Sequence, residues 1–198
     1  MVRRTKAEAQ ATRTAILDAA EHLFQQRGVS RTSLQDIAGA AGVTRGAVYW
    51  HFQDKSDLFN AMMERVQLPL EEADARLEAC EGHAPMERLR ELLIATLARV
   101  AGDEQVHRVF EIATQKVEYV DDMSGVQQRH RQAVQTHLDT IGRCLERAGI
   151  DHGMAIGLHA LVVGLIHSWM LDPSAFDLAA VGRRAIDAQL AGLTRTVS

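Results

Sequence analysis

At 198 residues the chain is long enough to bury a core, as one large domain or two small ones. Its net charge of −4 conceals a division: residues 1–55 carry eight Lys/Arg against five Asp/Glu, net +3, and residues 56–198 carry 14 against 21, net −7. Two cysteines, Cys80 and Cys144, are too few for a disulfide framework, and the opening Arg3, Arg4 and Lys6 run into polar, Ala-rich sequence without the apolar core of a signal peptide, so a reduced, cytoplasmic protein is expected.

Apolar residues recur at helical spacing, Pro occurs only at 69, 85 and 173, and no Val/Ile/Thr-rich run alternates, so an all-α chain is expected. The first helix should run from Ala7 to Arg27 on a stripe of Ile16, Leu17, Ala20, Leu23 and Phe24, with Gly28 ending it. Ser33 and Asp36 have capping-box spacing and open a short second helix with Leu34, Ile37, Ala38 and Ala41 inward, ending at Gly42. Thr44 can cap a third, with Ala47, Val48 and Phe52 inward, and Asp54 or Ser56 a fourth, with Leu58, Phe59, Met62, Met63 and Val66 inward until Pro69. Further helices are expected over about 70–80, then, after a Gly82-His83-Ala84-Pro85 break, on Leu89, Leu92, Leu93, Leu97 and Val100, and over 104–118, 123–148, 151–171 and 177–193.

Two short helices meeting at Ala41-Gly42-Val43 make a helix-turn-helix between Ser33 and Phe52. Its inward residues lock the pair and leave hydroxyl, guanidinium, phenol, indole and imidazole groups outward, as phosphates and base edges require. Arg45 is the candidate for base readout, because its fork can bond guanine O6 and N7 together; Gly46 lets the backbone approach DNA, and Tyr49, Trp50 and His51 complete the outer face. Thr32, Ser33 and Thr44 are expected to bond phosphate from helix N-termini, with Lys55 neutralising another. The expected division is a DNA-binding domain over 1–55 and a second domain over 56–198, with helix 4 as connector.

The runs Thr32-Ser-Leu-Gln-Asp-Ile-Ala38, Ala41-Gly-Val-Thr-Arg-Gly-Ala-Val-Tyr-Trp-His-Phe52 and Asp54-Lys-Ser-Asp-Leu-Phe59 resemble the DNA-binding segment of the TetR family of repressors. The opening Met1-Val-Arg-Arg-Thr-Lys6, the stretch from Phe110 to Met123 and Gly164-Leu-Ile-His-Ser-Trp169 resemble its AcrR/TtgR-like branch, which governs multidrug efflux pumps. The resemblance implies nine or ten helices, a homodimer on palindromic operator DNA, and release by a small hydrophobic ligand. By the same analogy, Met62, Met63, Gln67, Leu92, Leu93, Thr96, Phe110, Ala113, Thr114, Val134, His137, Ile141, His159, Val163 and His167 are candidate ligand contacts. Gln67 departs from the carboxylate such repressors often carry there, which favours neutral or anionic ligands.

No Cys-x-x-Cys or His-Glu-x-x-His occurs, nor any nucleophile elbow or phosphate-cradling loop, so no metal, cofactor or catalysis is expected. The 18-residue apolar run Met154–Leu171, broken by His159, His167 and Ser168, reads as a buried or interface helix and not a membrane span. Dimerisation is placed on the last two helices, through Gly157, Ala160, Gly164 and Trp169 and through Leu178, Val181, Ile186, Leu190 and Leu193. Two alternatives stand beside efflux control: a repressor answering to a metabolite such as an acyl-thioester, and a structural or division-control factor on DNA with no inducer.

Overall fold

A computed structural model describes residues 6–78, 85–117 and 124–195, with the side chains of 67–78, 124 and 195 left out. Among the described residues all regular structure is helical: α1 (Lys6–Arg27), α2 (Leu34–Ala40), α3 (Arg45–His51), α4 (Lys55–Glu78), α5 (Pro85–Gly102), α6 (Glu104–Glu111), α7 (Ser124–Arg147), α8 (Ala155–Leu171) and α9 (Leu178–Arg195). A π turn, Ile112–Lys116, follows α6, and a 3-10 turn, His152–Met154, precedes α8.

The chain divides into two compact units, one made of residues up to 66 with 108–128, the other of 67–107 with 129 onward. In the first, Ile16, Leu17, Ala20 and Phe24 of α1 are buried with Ile37 and Ala38 of α2, Val48 of α3 and Leu58, Phe59 and Met62 of α4. Phe24 and Phe59 pack with ring centres 6.2 Å apart. In the second, α5 and α9 come so close at Gly182 that a Cβ there would stand 2.1 Å from Leu97 Cδ1. Arg90 of α5 closes the same contact on Asp187 of α9 at 2.6 Å.

Three boundaries differ from the sequence reading. Helix α4 does not stop at Pro69 but continues to Glu78 as one element. Proline removes a single backbone donor, and the surrounding Leu, Glu, Ala and Arg are strong helix formers that carry the helix past it. The expected 104–118 helix is α6 followed by the π turn; there the Thr114 hydroxyl donates to the Phe110 carbonyl at 2.7 Å, offering that carbonyl a partner other than an amide one turn on. The expected start of α8 at Asp151 is moved to Ala155 by the 3-10 turn. Cys80, the Gly82-His83-Ala84 break and the 118–123 part of the branch resemblance lie outside the described residues.

Candidate DNA-binding and effector sites

Local chemistry fixes the geometry of the helix-turn-helix. Ser33 caps α2 as one half of a capping box: its Oγ accepts from the Asp36 amide at 3.1 Å, while the Ser33 amide donates to Asp36 Oδ2 at 2.9 Å. Those bonds from the Ser33 hydroxyl and amide hold the Asp36 carboxyl below its ordinary range. Gly42, at φ 66°, takes the left-handed conformation that ends α2, and the next amide, of Val43, reaches back to the Ala38 carbonyl at 3.0 Å. Two residues on, Thr44 Oγ1 accepts from the Ala47 amide at 3.2 Å and starts α3. Val48 and Phe52 are buried under this turn, whereas Ala47 and Val43 are half-buried.

The outer face of α3 is presented to solvent. Arg45, Gly46, Tyr49 and Trp50 are all exposed, Trp50 by 73%. Arg45 Nη2 donates to the Tyr49 hydroxyl at 3.1 Å and its guanidinium lies 5.3 Å from that ring's centre, so the pair stands as one unit. Trp50 meets His51, half-buried, edge to face at 4.5 Å. Gly46 is not demanded by the fold, since a Cβ there would find only Thr44 Oγ1, at 3.9 Å.

Two expected phosphate contacts are differently employed. Thr32 is buried, and its hydroxyl donates to the Gly28 carbonyl at 2.8 Å. Lys55 Nζ donates to the carbonyls of Val29, Ser30 and Thr32 at 2.9, 3.2 and 3.2 Å, which uses its three donors on the corner between α1 and α2. Both residues shape the reading head from within, while Ser33 and Thr44 remain exposed at their helix N-termini. Sequence reasoning missed Arg13, whose guanidinium sits 5.2 Å over the Phe52 ring and so brings a cation to the end of α3. A basic residue inside α1 gives no sequence signal of that placement.

The effector candidates fall in both units. Met62, Met63, Phe110, Ala113 and Thr114 belong to the first, and Leu92, Leu93, Thr96, Val134, His137, Ile141, His159, Val163 and His167 to the second. Met62, Leu93 and Ile141 are fully buried; Met63, Leu92, Thr96, Phe110, Ala113, Val134, His137 and His159 are half-buried. The Thr96 hydroxyl is turned to the Leu92 carbonyl at 2.9 Å. The rings of His137 and His159 meet 5.7 Å apart across α7 and α8. Thr114, Val163 and His167 are exposed, so within their own units they enclose nothing. The side chain of Gln67 lies outside the described residues. Among the described residues no three His, Cys, Asp or Glu side chains converge as metal ligands.

Val163 and His167 stand on one outward stripe of α8, with Ile156, Gly157, Ala160, Gly164, Ser168 and Leu171, each three or four residues from another. A Cβ at Gly164 would meet nothing within 4 Å. Trp169, Leu178, Ile186 and Leu190, expected at a dimer interface, are instead buried inside the protomer, and Trp169 packs 5.0 Å from His107. Apolar residues along a helix face match either role; the small residues on the other face of α8 are the ones left uncovered. His152–Leu171 is long and apolar enough to cross a bilayer by length and composition alone, a measure the helices of soluble proteins also meet.

Residues 16–62 match the model of the tetR family of bacterial regulatory proteins, and residues 84–194 match the C-terminal region of MAATS-type transcriptional repressors. Over 187 residues the chain is 41% identical to the transcriptional regulator AcrR of Shigella flexneri, covering 90% of this chain and 87% of that one. NalD, the secondary repressor of the MexAB-OprM multidrug efflux pump in Pseudomonas aeruginosa, superimposes with a TM-score of 0.87 at 37% identity over 96% of this chain and 99% of its own. SmeT, the repressor of the Stenotrophomonas maltophilia efflux pump SmeDEF, solved in complex with triclosan, gives a TM-score of 0.84 at 36% identity over 92% and 91%.

Proposed function

This chain belongs to the TetR family of bacterial regulatory proteins, and from that premise we propose that it is a homodimeric repressor of a multidrug efflux pump, released from its operator by small hydrophobic compounds. The observation that carries the reading is the outer face of α3, where Arg45, Gly46, Tyr49 and Trp50 stand exposed on a helix pair fixed by two capped N-termini. In this reading residues 1–55 hold the DNA-binding module, and 56–198 the effector and dimer functions. Arg45 reads base edges; Ser33 and Thr44 hydrogen-bond phosphate, and Tyr49 and His51 reach phosphates or pack against thymine methyls. A palindromic operator follows from two-fold symmetry, with recognition helices set ~34–36 Å apart. The stripe of Ile156, Gly157, Ala160, Val163, Gly164 and Leu171 is the dimer face, because small residues let two helices approach closely and the apolar ones are otherwise exposed. The protein works in the cytoplasm, where the operator is, and catalyses no reaction.

Efflux control rests on the likeness to NalD and SmeT, each a pump repressor. Triclosan, which SmeT binds, is the first ligand to try. Ligand moves the equilibrium between two arrangements only by its differential affinity for them, and α4, which runs from Lys55 at the reading head into the second unit, is the element placed to carry that difference. The test is selection of binding duplexes from random DNA, footprinting, and titration of triclosan into the complex. A palindrome bound by the dimer and vacated on triclosan addition is expected; operator affinity unchanged by saturating triclosan and other pump substrates would remove the efflux reading.

A further inference from the structure

Glu21 of α1 is the one buried carboxylate among the described residues, 1% exposed. Two arginines reach it from helices far apart in sequence. Arg65 of α4 places Nη1 2.5 Å from its Oε1 and 2.8 Å from Asp18, and Arg108 of α6 places Nη1 3.5 Å from its Oε2. The hold of α6 on α1 is repeated at steps of four residues: Gln25 Nε2 donates to Glu111 at 2.7 Å, and the Val29 amide donates to the carbonyl of Lys116, the last residue of the π turn, at 3.1 Å. Val29 opens the corner that runs into the Ser33 cap of α2, and that corner's carbonyls are the ones that Lys55 of α4 binds.

We propose that Glu21 is a positioning residue which makes α4 and α6 orient the DNA-reading helices jointly. The inference rests on the repressor reading and adds a second input to it, α6 with its π turn. A buried charge left without one of its partners is strongly disfavoured. Withdrawal of either arginine leaves the buried carboxylate less compensated, so each of α4 and α6 is held to α1, and a shift that keeps both pairs carries the three helices together. Movement of α6 and its π turn then passes along α1 through residues 21 and 25, and beyond its end through Val29, to the cap of α2, so that the angle of α3 is fixed by two helices and not by α4 alone.

The test compares the full-length wild type with Glu21→Gln, which keeps shape and removes charge, and with Glu21→Met should the amide variant not fold. Each is measured on a duplex selected by the wild type, on the same duplex with the half-site separation lengthened by one base pair, and on a single half-site. Inserting the base pair is expected to weaken the wild type by at least about 30-fold and the variant by less than about threefold, with single half-site affinities equal within about twofold. Equal insertion penalties, or a variant as weakened on the single half-site, would overturn the proposal. Should the wild type select no duplex at all, the repressor reading falls, and Glu21 is judged on hydrogen exchange. The Val29 amide should then exchange about tenfold faster in Glu21→Gln while amides of α9 keep their rates, and an unchanged Val29 rate would overturn the proposal.

Discussion

Gly46 is the position at which folding and DNA binding make opposite demands. It lies in the first turn of α3, and a methyl group there would touch only Thr44 Oγ1, at 3.9 Å. Gly46→Ala should therefore stabilise the protein by up to ~1 kcal/mol, the usual helix-propensity difference. The same methyl stands on the exposed face proposed to meet DNA, so operator affinity should fall about tenfold or more, as about 1.4 kcal/mol of lost contact requires. Thermal unfolding and fluorescence anisotropy on one preparation read both effects; unchanged affinity would free Gly46 of any DNA role. What sequence reading could see at this scale, the caps made by Ser33 and Thr44 and the exposure of Arg45, depends on partners within four positions. Lys55, which it assigned to a phosphate, and Arg13, which it passed over, act at a distance. The Lys55 ammonium answers carbonyls 23 to 26 residues back, and Arg13 covers the ring of Phe52; neither spacing leaves a trace in the local pattern.

Among elements, α7 and α8 carry a titratable contact whose sign can be worked out. Burial lowers the pKa of His159 below its ordinary 6.5, and the nearby His137 and His130 lower it further. In the unfolded chain His159 takes up its proton near 6.5; in the folded protein it does so only at lower pH. The unfolded state thus binds more protons in that window, and stability declines as pH drops below 6.5, levelling once the folded imidazole also titrates. His159→Gln should reduce the fall in melting temperature between about pH 7.5 and about pH 5.5, and an identical fall in both proteins would show that the contact carries no linkage. A second prediction belongs to the outer stripe of α8, where Val163 is 43% exposed. Val163→Glu should leave the monomer's helix content intact and convert dimer to monomer in sedimentation, because it would place two like charges across the two-fold contact proposed for this stripe. The helices were legible from periodicity and capping residues, for both are local. What escaped was where a pattern is overruled from outside it: α4 continuing through Pro69, the π turn after α6, and the choice of which face of α8 and α9 fills the protomer's own core. An apolar stripe records that something covers it, not which chain.

For the whole molecule the charge division, net +3 over residues 1–55 and −7 over the remainder, separates two associations by their response to salt. Operator binding exchanges condensed counterions for lysine and arginine; a protein meeting 6–10 phosphates loses about 10³–10⁵ in affinity between 50 and 200 mM salt. The proposed dimer face on α8 holds Ile156, Val163 and Leu171 with small residues and His167 among them and no Asp, Glu, Lys or Arg, so screening gives it little to lose. Over that salt range operator affinity should therefore fall by about 10³ or more while the sedimentation coefficient of the free protein stays that of a dimer. Measured together on one sample, the two curves locate the interface as well as the charge. Dissociation of the free dimer in step with loss of DNA would mean that its contact is ionic, and would move it from the stripe of α8 to the exposed Arg183 and Arg184 of α9. Persistence of the dimer in salt that empties the operator would leave α8 as the face that sets the spacing between the two reading heads.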